Sequence, residues 1–133
     1  MKKFCIQTHS RTEFINIDRQ VSELVRESGI TEGIVTIFIP HTTAGVTINE
    51  NADPDVTADI ETVLDRIVPW RSADYRHVEG NTAAHVKAGM MGASAQVIVS
   101  RGTLQMGTWQ SLYFCEFDGP RNREVWVKGI AGE

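Results

Sequence analysis

Three histidines have the right chemistry for a metal site, although their spacing is not local. His41 follows a run of β-forming residues, and His77 and His85 flank the segment VEGNTAA. Neutral imidazoles that meet in a fold suit a divalent metal such as zinc, with a further position open for water or substrate. Their separations of 36 and 8 residues match no local zinc motif. The residues alone therefore leave open a shared site or three unrelated polar histidines, with His9 at the surface.

A second polar group, rich in carboxylates, follows in the segment GVTINENADPDV. It supplies Glu50, Asn51, Asp53 and Asp55 within six residues. Carboxylates here would suit Mg²⁺ bound to a diphosphate substrate, or a general acid–base pair. Asp53 before Pro54 is equally the N-cap pattern of a helix, whose dipole Asp55 would then favour. Glu50 and Asn51 precede the cap and need another partner.

Two further segments are suited to ligand contact. In PHTTAG, the hydroxyls of Thr42 and Thr43 and the amides of a tight turn suit phosphate, although the segment is equally an ordinary polar connection. The segment LQMGTWQS adds Gly107, Thr108, Trp109 and Gln110. A tryptophan there can stack on a planar heterocycle or fill a core, and a strand glycine indicates a bulge or a close approach of another group.

Strands must position most of these residues. The alternation at Phe4, Ile6 and Thr8 predicts an opening strand, and EFINI predicts a second that pairs back with it. GIVTIFIP is apolar on both faces, which predicts a central buried strand, and GVTIN predicts its neighbour. AQVIVS, WQSLYFCEF and REVWVKGI predict three more strands, with DGPRN as the turn between the last two.

Three helices separate the strands. Asp18 is placed to cap a helix through Glu27, with Gly29 as its stop. Asp53-Pro54 begins a second helix, with apolar residues at 3.6-residue spacing up to Pro69. Asn81 is placed to cap the short helix TAAHVKAGMM, and a polar loop precedes it. This order favours one α+β domain over residues 1–133, with antiparallel sheets, sandwich-like, and two to three flanking helices.

Composition excludes several classes of partner. The net charge of −4 comes from interspersed acids and bases, which argues against a nucleic-acid surface. No apolar run approaches the ~20 residues of a membrane span, and the start MKKFCIQTHSRTEF lacks the apolar stretch of a signal peptide. Cys5 and Cys115 show no CxxC spacing, so we expect reduced, buried thiols in a cytoplasmic protein.

Three long segments resemble the YjbQ family of small single-domain proteins. They are PHTTAGVTINENADPDVTADIE, YRHVEGNTAAHVKAGMMG and LQMGTWQSLYFCEFDGPRNREVWVKG. The resemblance runs from about residue 4 to residue 130. It implies a compact α+β fold, a homotrimer, and a metal held at the positions of His41, His77 and His85. It also implies a thiamine phosphate synthase activity, which some family members can supply and which is not necessarily their main activity.

The implied reaction joins a pyrimidine methyl diphosphate to a thiazole phosphate and releases pyrophosphate. Mg²⁺ near Glu50, Asp53 and Asp55 would neutralise the leaving group, and Trp109 would shield a cation-like intermediate. Two alternatives stay open. One is a metal-dependent hydrolase of a small ester or phosphate. The other is a non-enzymatic module that binds a small anion or a metal.

Overall fold

The structure, a computed structural model, describes all 133 residues and has the predicted α+β architecture. The strands are β1 (Lys2–Gln7), β2 (Glu13–Asn16), β3 (Gly33–Phe38), β4 (Ala44–Glu50), β5 (Ser94–Ser100), β6 (Thr103–Gln105), β7 (Gln110–Glu116) and β8 (Asn122–Ala131). The helices are α1 (Asp18–Ser28), α2 (Pro54–Ile67) and α3 (Thr82–Met91). The short strand β6 overlaps the start of the segment LQMGTWQS and was not predicted.

The strands form two antiparallel sheets. The larger has the order β1-β8-β3-β5-β6, and the smaller has the order β2-β7-β4. Two predicted pairings are therefore wrong: β2 pairs with β7 rather than β1, and β4 also pairs with β7 rather than β3. The segment DGPRN links the two sheets instead of closing a hairpin, because β7 and β8 belong to different sheets.

The main core contains residues from both sheets and from α1. Val35, Val46, Phe114 and Val125 are each at most 1% exposed within it. β3 is central, as predicted, but it is buried on one face only, because Ile34 is 46% exposed and alternates with buried residues. Apolar residues on both faces of this strand therefore do not show that both faces are covered.

Some helix ends follow the predicted local chemistry and others do not. Asn81 precedes α3 as predicted, but its side chain makes no capping hydrogen bond. Gly29 ends α1 in the left-handed conformation, with φ of 75°, as expected for a glycine stop. The Asp53 carboxylate caps α2 by accepting a hydrogen bond from the Asp55 amide at 2.9 Å. Asp18 does not cap α1, because its carboxylate accepts instead from Ser111 Oγ at 2.6 Å and from the Leu112 amide at 2.7 Å. It ties α1 to β7.

Helices α2 and α3 pack against the smaller sheet. A second cluster joins Leu64 of α2, Ala84 and Ala88 of α3, and Cys115 of β7. A Cβ added at Gly45 of β4 would lie 2.7 Å from the carbonyl oxygen of Gly92, so only glycine permits the end of α3 to approach β4 this closely. This contact fixes the position of α3, and therefore of the residues at its start.

The two cysteines differ in environment. Cys115 is buried, and burial raises the pKa of its thiol to about 12. Cys5 is exposed, which corrects the expectation that both are buried. Their strands lie in different sheets, and both are free thiols. None of the three helices has the length and apolar character needed to cross a membrane.

Candidate functional site

A polar cleft of about 660 Å³ lies where the chain passes twice between the two sheets. One passage is residues 39–43, from β3 to β4, and the other is residues 117–121, from β7 to β8. The Phe117 amide donates to the Thr43 carbonyl at 3.1 Å, which holds the two passages together. The cleft is lined by Phe38, Ile39, Pro40, His41, Thr42, Thr43, His77, Glu79, Asn81, His85, Ala93, Asp118, Arg121 and Arg123.

His77 and His85 form a contacting pair at one side of the cleft. Their ring centroids are 5.3 Å apart, with the planes at 88°. His85 lies in the first turns of α3, and His77 lies in a turn closed by Gly80, whose φ is 76°. Nε2 of His77 lies 3.9 Å from a carboxylate oxygen of Glu79. The fold therefore brings together an imidazole from the turn before α3 and one from α3 itself.

His41 also lines the cleft and has a defined tautomer. Its Nε2 accepts a hydrogen bond from the Glu124 amide at 2.9 Å, so in the neutral ring Nδ1 carries the hydrogen. Burial lowers the pKa of His41 below its ordinary value, and the positive charge of Arg123 lowers it further. His41 is therefore a neutral N–H donor at neutral pH.

A buried ion pair holds Arg123, one of the residues that line the cleft. Arg123, on β8, donates through Nε and Nη2 to the two carboxylate oxygens of Glu116, at the end of β7. Nη2 also donates to Thr43 Oγ1 at 2.8 Å, and Thr8 Oγ1 donates to Glu116 at 2.8 Å. Burial by itself raises the pKa of Glu116, but the hydrogen bonds from Arg123 and from the Asp118 amide outweigh it, and the net pKa is lowered.

A second arginine is only partly engaged. Arg121 donates through Nε to the Asp118 carbonyl at 2.7 Å and through Nη2 to the Asp118 carboxylate at 2.8 Å. Its side chain is about half exposed, at 51%. The same carboxylate accepts a hydrogen bond from Asn81 Nδ2 at 2.8 Å. The other polar atom of that amide, Oδ1, is buried without a protein partner. Arg121 therefore keeps N–H groups that can face a bound anion.

The structure brings together five of the predicted site residues and separates the others from them. His41, His77 and His85 share the cleft with Thr42 and Thr43. The convergence of PHTTAG and HVEGNTAAH occurs within one chain.

The acidic corner does not line the rim of this cleft. Strand β4 separates them, since it runs from Ala44 beside the cleft to Glu50, and seven residues of strand span roughly 20 Å. The predicted residues away from the cleft are Glu50, Asn51, Asp53, Asp55, Gly107, Thr108, Trp109 and Gln110.

The residues at that far end have structural partners. The Glu50 carbonyl accepts from the Tyr113 hydroxyl at 2.8 Å. Asn51 Nδ2 donates to Ser111 Oγ at 2.9 Å, and Asp53 is the helix cap described above. The Gln110 side chain accepts from the Gly107 amide at 2.7 Å. These contacts close the β4–β7 end of the smaller sheet, where Gln110 pairs with Glu50.

Asp55, Thr108 and Trp109 are exposed at the same end, and Trp109 is 61% exposed. Trp109 therefore neither fills a core nor faces the cleft.

The predicted metal centre is wrong. No group of three or more histidine, cysteine, aspartate or glutamate side chains is placed to hold a metal ion. His41 illustrates the physical reason, because the lone pair of its Nε2 is already directed at the Glu124 amide. His77 and His85 meet edge to face, as packed aromatic rings do. The three histidines line one cleft without forming a ligand set.

Sequence reasoning missed the arginines of the cleft. Arg121 and Arg123 lie in or next to DGPRN, which was interpreted only as a turn. A signal was present: Arg123 alternates with Val125 and Val127, so it occupies an inward position of β8. A charged residue at such a position requires a buried partner, and Glu116 supplies it.

Fold and site together define a small α+β protein of two antiparallel sheets, with a cleft of histidines and arginines at the passages between them. The family model described as UPF0047 protein YjbQ-like matches residues 2–132. The chain belongs to the YjbQ family, as its motifs indicated.

Relatives from distant organisms match over nearly the whole chain. The UPF0047 protein YugU of Bacillus subtilis is 53% identical over 128 residues, which are 96% of this chain and 97% of the relative. The UPF0047 protein YjbQ of Escherichia coli O157:H7 is 32% identical and covers 86% of this chain and 85% of its own. A crystal structure of a YjbQ/UPF0047 protein from Clostridium acetobutylicum is 52% identical, with a TM-score of 0.95 over 98% of this chain and 100% of that chain.

The predicted function is corrected by these findings. The relatives are named as UPF0047 proteins, and their names state no thiamine phosphate synthase activity. The structure offers no metal-binding group, and the acids expected to bind Mg²⁺ lie a strand's length from the histidines. The interpretation as a metal-binding thiamine phosphate synthase is therefore not retained, and neither is the metal-dependent hydrolase.

Proposed function

We propose that the cleft binds a small phosphorylated molecule and catalyses proton transfer on it through its histidines. One observation carries this proposal: His41, His77 and His85 face the same cleft as Arg121 and Arg123. Arginine recognises phosphate through paired N–H groups, and histidine exchanges protons near neutral pH. The combination suits a substrate that is bound as an anion and then undergoes proton transfer.

The anion would bind at the wall formed by residues 39–43 and 117–123. The half-exposed Arg121 supplies N–H donors. The buried Arg123 is paired with Glu116 and contributes by holding Thr43 in place at this wall. The Nδ1–H of His41 and the hydroxyl of Thr42 add neutral donors. Donors held by the fold before binding stabilise charge at little reorganisation cost.

The proton-transfer groups would be His77 and His85. Their ring centroids are 5.3 Å apart, so both imidazoles can reach the same bound molecule. The carboxylate of Glu79 lies 3.9 Å from Nε2 of His77 and helps to orient that ring. The pair therefore offers two proton-transfer groups side by side in the cleft.

The test uses phosphorus NMR, which follows binding and conversion in the same sample. Wild-type protein is titrated with inorganic phosphate and then incubated with a panel of phosphate monoesters. We expect saturable phosphate binding that is weakened about tenfold or more by R121Q, since a hydrogen bond to a charged group contributes about 1.5–3 kcal/mol. H77A and H85A should bind phosphate but convert no monoester.

The matched control is H9A, since His9 is an exposed histidine outside the cleft. It should behave as wild type. Phosphate binding that is equal in wild type and R121Q would overturn the binding half of the proposal. Conversion that survives in both H77A and H85A would overturn the catalytic half.

We also propose the homotrimer that the family resemblance implies. In its support, four large apolar side chains on the outer face of the larger sheet are between 41% and 68% exposed: Ile34, Phe38, Ile98 and Ile130. A subunit interface would bury this apolar surface. Light scattering at micromolar concentration tests this, and a monomeric mass would contradict it. A cytoplasmic location is likewise a proposal, based on the free thiols.

A further inference from the structure

A second cavity, of about 680 Å³, lies on the other side of α3 from the cleft. His85 and Lys87 are two positions apart on this helix, which places them about 200° apart around its axis. His85 lines the first cleft and Lys87 lines the second cavity. The second cavity is completed by Arg11, before β2, and by residues of α2 and the segment that follows it.

Lys87 is an unusual residue in this position because it is only 3% exposed. Lysine is rarely buried without a partner, and here its ammonium forms an ion pair with Asp65 of α2. Glu61 lies one helical turn before Asp65 and lines the same cavity. Burial raises the pKa of Glu61, the charge of Asp65 raises it further, and Lys87 opposes both. One ammonium therefore faces two carboxylates.

Arg11 supplies the second positive charge. Its guanidinium carbon lies 4.2 Å from the ring centroid of Trp70, so the aromatic ring supports one face of the group. The side chain forms no ion pair with any carboxylate of the chain, although Glu61 and Asp65 line the same cavity. A guanidinium that is supported in this way presents its fork of N–H groups for a planar carboxylate.

The cavity has equal numbers of positive and negative side chains. Arg11 and Lys87 give two positive charges, and Glu61 and Asp65 give two negative charges. A simple anion would meet the carboxylates and a simple cation would meet the arginine. A molecule with one group of each sign satisfies both, since each group then faces its opposite.

We propose that this second cavity binds a small zwitterion of the α-amino acid type, with its carboxylate on Arg11 and its ammonium at Glu61. The site is separate from the phosphate cleft and does not depend on its function. Lys87 holds the carboxylate of Asp65 in place, which leaves that of Glu61 free for the ligand. The volume accommodates a side chain in addition to the charged groups.

The test is a titration of the full chain followed by amide NMR. The probes are glycine, L-alanine and L-glutamine, with acetate and methylammonium as the two halves of the zwitterion. We expect saturable shifts at residues 10–12, 61–70 and 87 with at least one amino acid, and at least tenfold weaker binding of either half. R11Q and E61Q should each reduce the affinity about tenfold or more, since each removes a charged hydrogen-bonding partner.

The controls separate this site from general surface charge. R101Q changes an exposed arginine away from the cavity and should leave the affinity unchanged. Arg11 is exposed and Glu61 is partly exposed, so their variants should retain the wild-type spectrum elsewhere. The proposal is overturned if no amino acid gives saturable shifts, if acetate binds as tightly as the zwitterion, or if R11Q leaves the affinity unchanged.

Discussion

Arg123 and Glu116 form a buried ion pair that joins the two sheets, with Glu116 fully buried and Arg123 5% exposed. Glu116 ends β7 of the smaller sheet, and Arg123 lies near the start of β8 in the larger one. The pair therefore holds together the passage from β7 to β8 beside the cleft.

Removal of the arginine should destabilise the fold strongly. R123M leaves the Glu116 carboxylate buried without its partner, and breaking such a pair costs about 3–5 kcal/mol. Urea unfolding measures this change in the free energy of unfolding. The matched control is R19M, which breaks the exposed pair Arg19–Glu23 and should cost at most about 1 kcal/mol. Equal costs for the two variants would contradict the assigned importance of the buried pair.

The stability that the pair contributes should depend on pH in a definite direction. The pKa of Glu116 is lower in the folded protein than its ordinary value, so the contribution is fully present above the ordinary glutamate range, about pH 4.3. It is lost as the pH falls through the folded pKa. The free energy of unfolding of wild type minus that of E116Q should be constant at neutral pH and shrink below about pH 4. A difference that stays constant in acid would rule out this carboxylate as the cause.

His41 should be neutral at pH 7, with its hydrogen on Nδ1. Its pKa is lowered by burial and by Arg123, and its Nε2 is an acceptor for the Glu124 amide. Long-range ¹H–¹⁵N NMR distinguishes the two tautomers and follows ionisation. The midpoint should lie below about 6.5, the value of an unperturbed histidine. A hydrogen on Nε2 at pH 7 would disprove the assigned hydrogen bond.

Asp53 should act as a helix cap and not as a catalytic acid. D53A removes the acceptor for the Asp55 amide and should cost about 1 kcal/mol of stability. D53N keeps a capping oxygen and should cost little. Neither variant should change phosphate binding, because Asp53 lies at the far end of β4 from the cleft. A loss of phosphate binding in D53N with unchanged stability would restore a role in the site.

The success of sequence reasoning followed the range of the interactions involved. The boundaries of α2 were predicted well, because Asp53, Pro54 and the apolar spacing act within a few residues of one another. The partners of β2 and β4 were predicted wrongly, because both strands pair with β7, which lies more than 50 residues further along the chain. Each strand has a pattern that predicts its existence, but that pattern does not specify which edge it meets.

The same contrast between local and long-range interactions applies to the candidate site. The class of fold, the family and the residue types available for chemistry could be predicted from the sequence, because these depend on local pattern and on long motifs. Which of those residues meet depends on the tertiary structure. The passages at residues 39–43 and 117–121, together with the start of α3, placed the three histidines in one cleft with Arg121 and Arg123. The length of β4 kept the acids away. The physical reason is that side chains meet through strand pairing and packing, which join residues far apart along the chain.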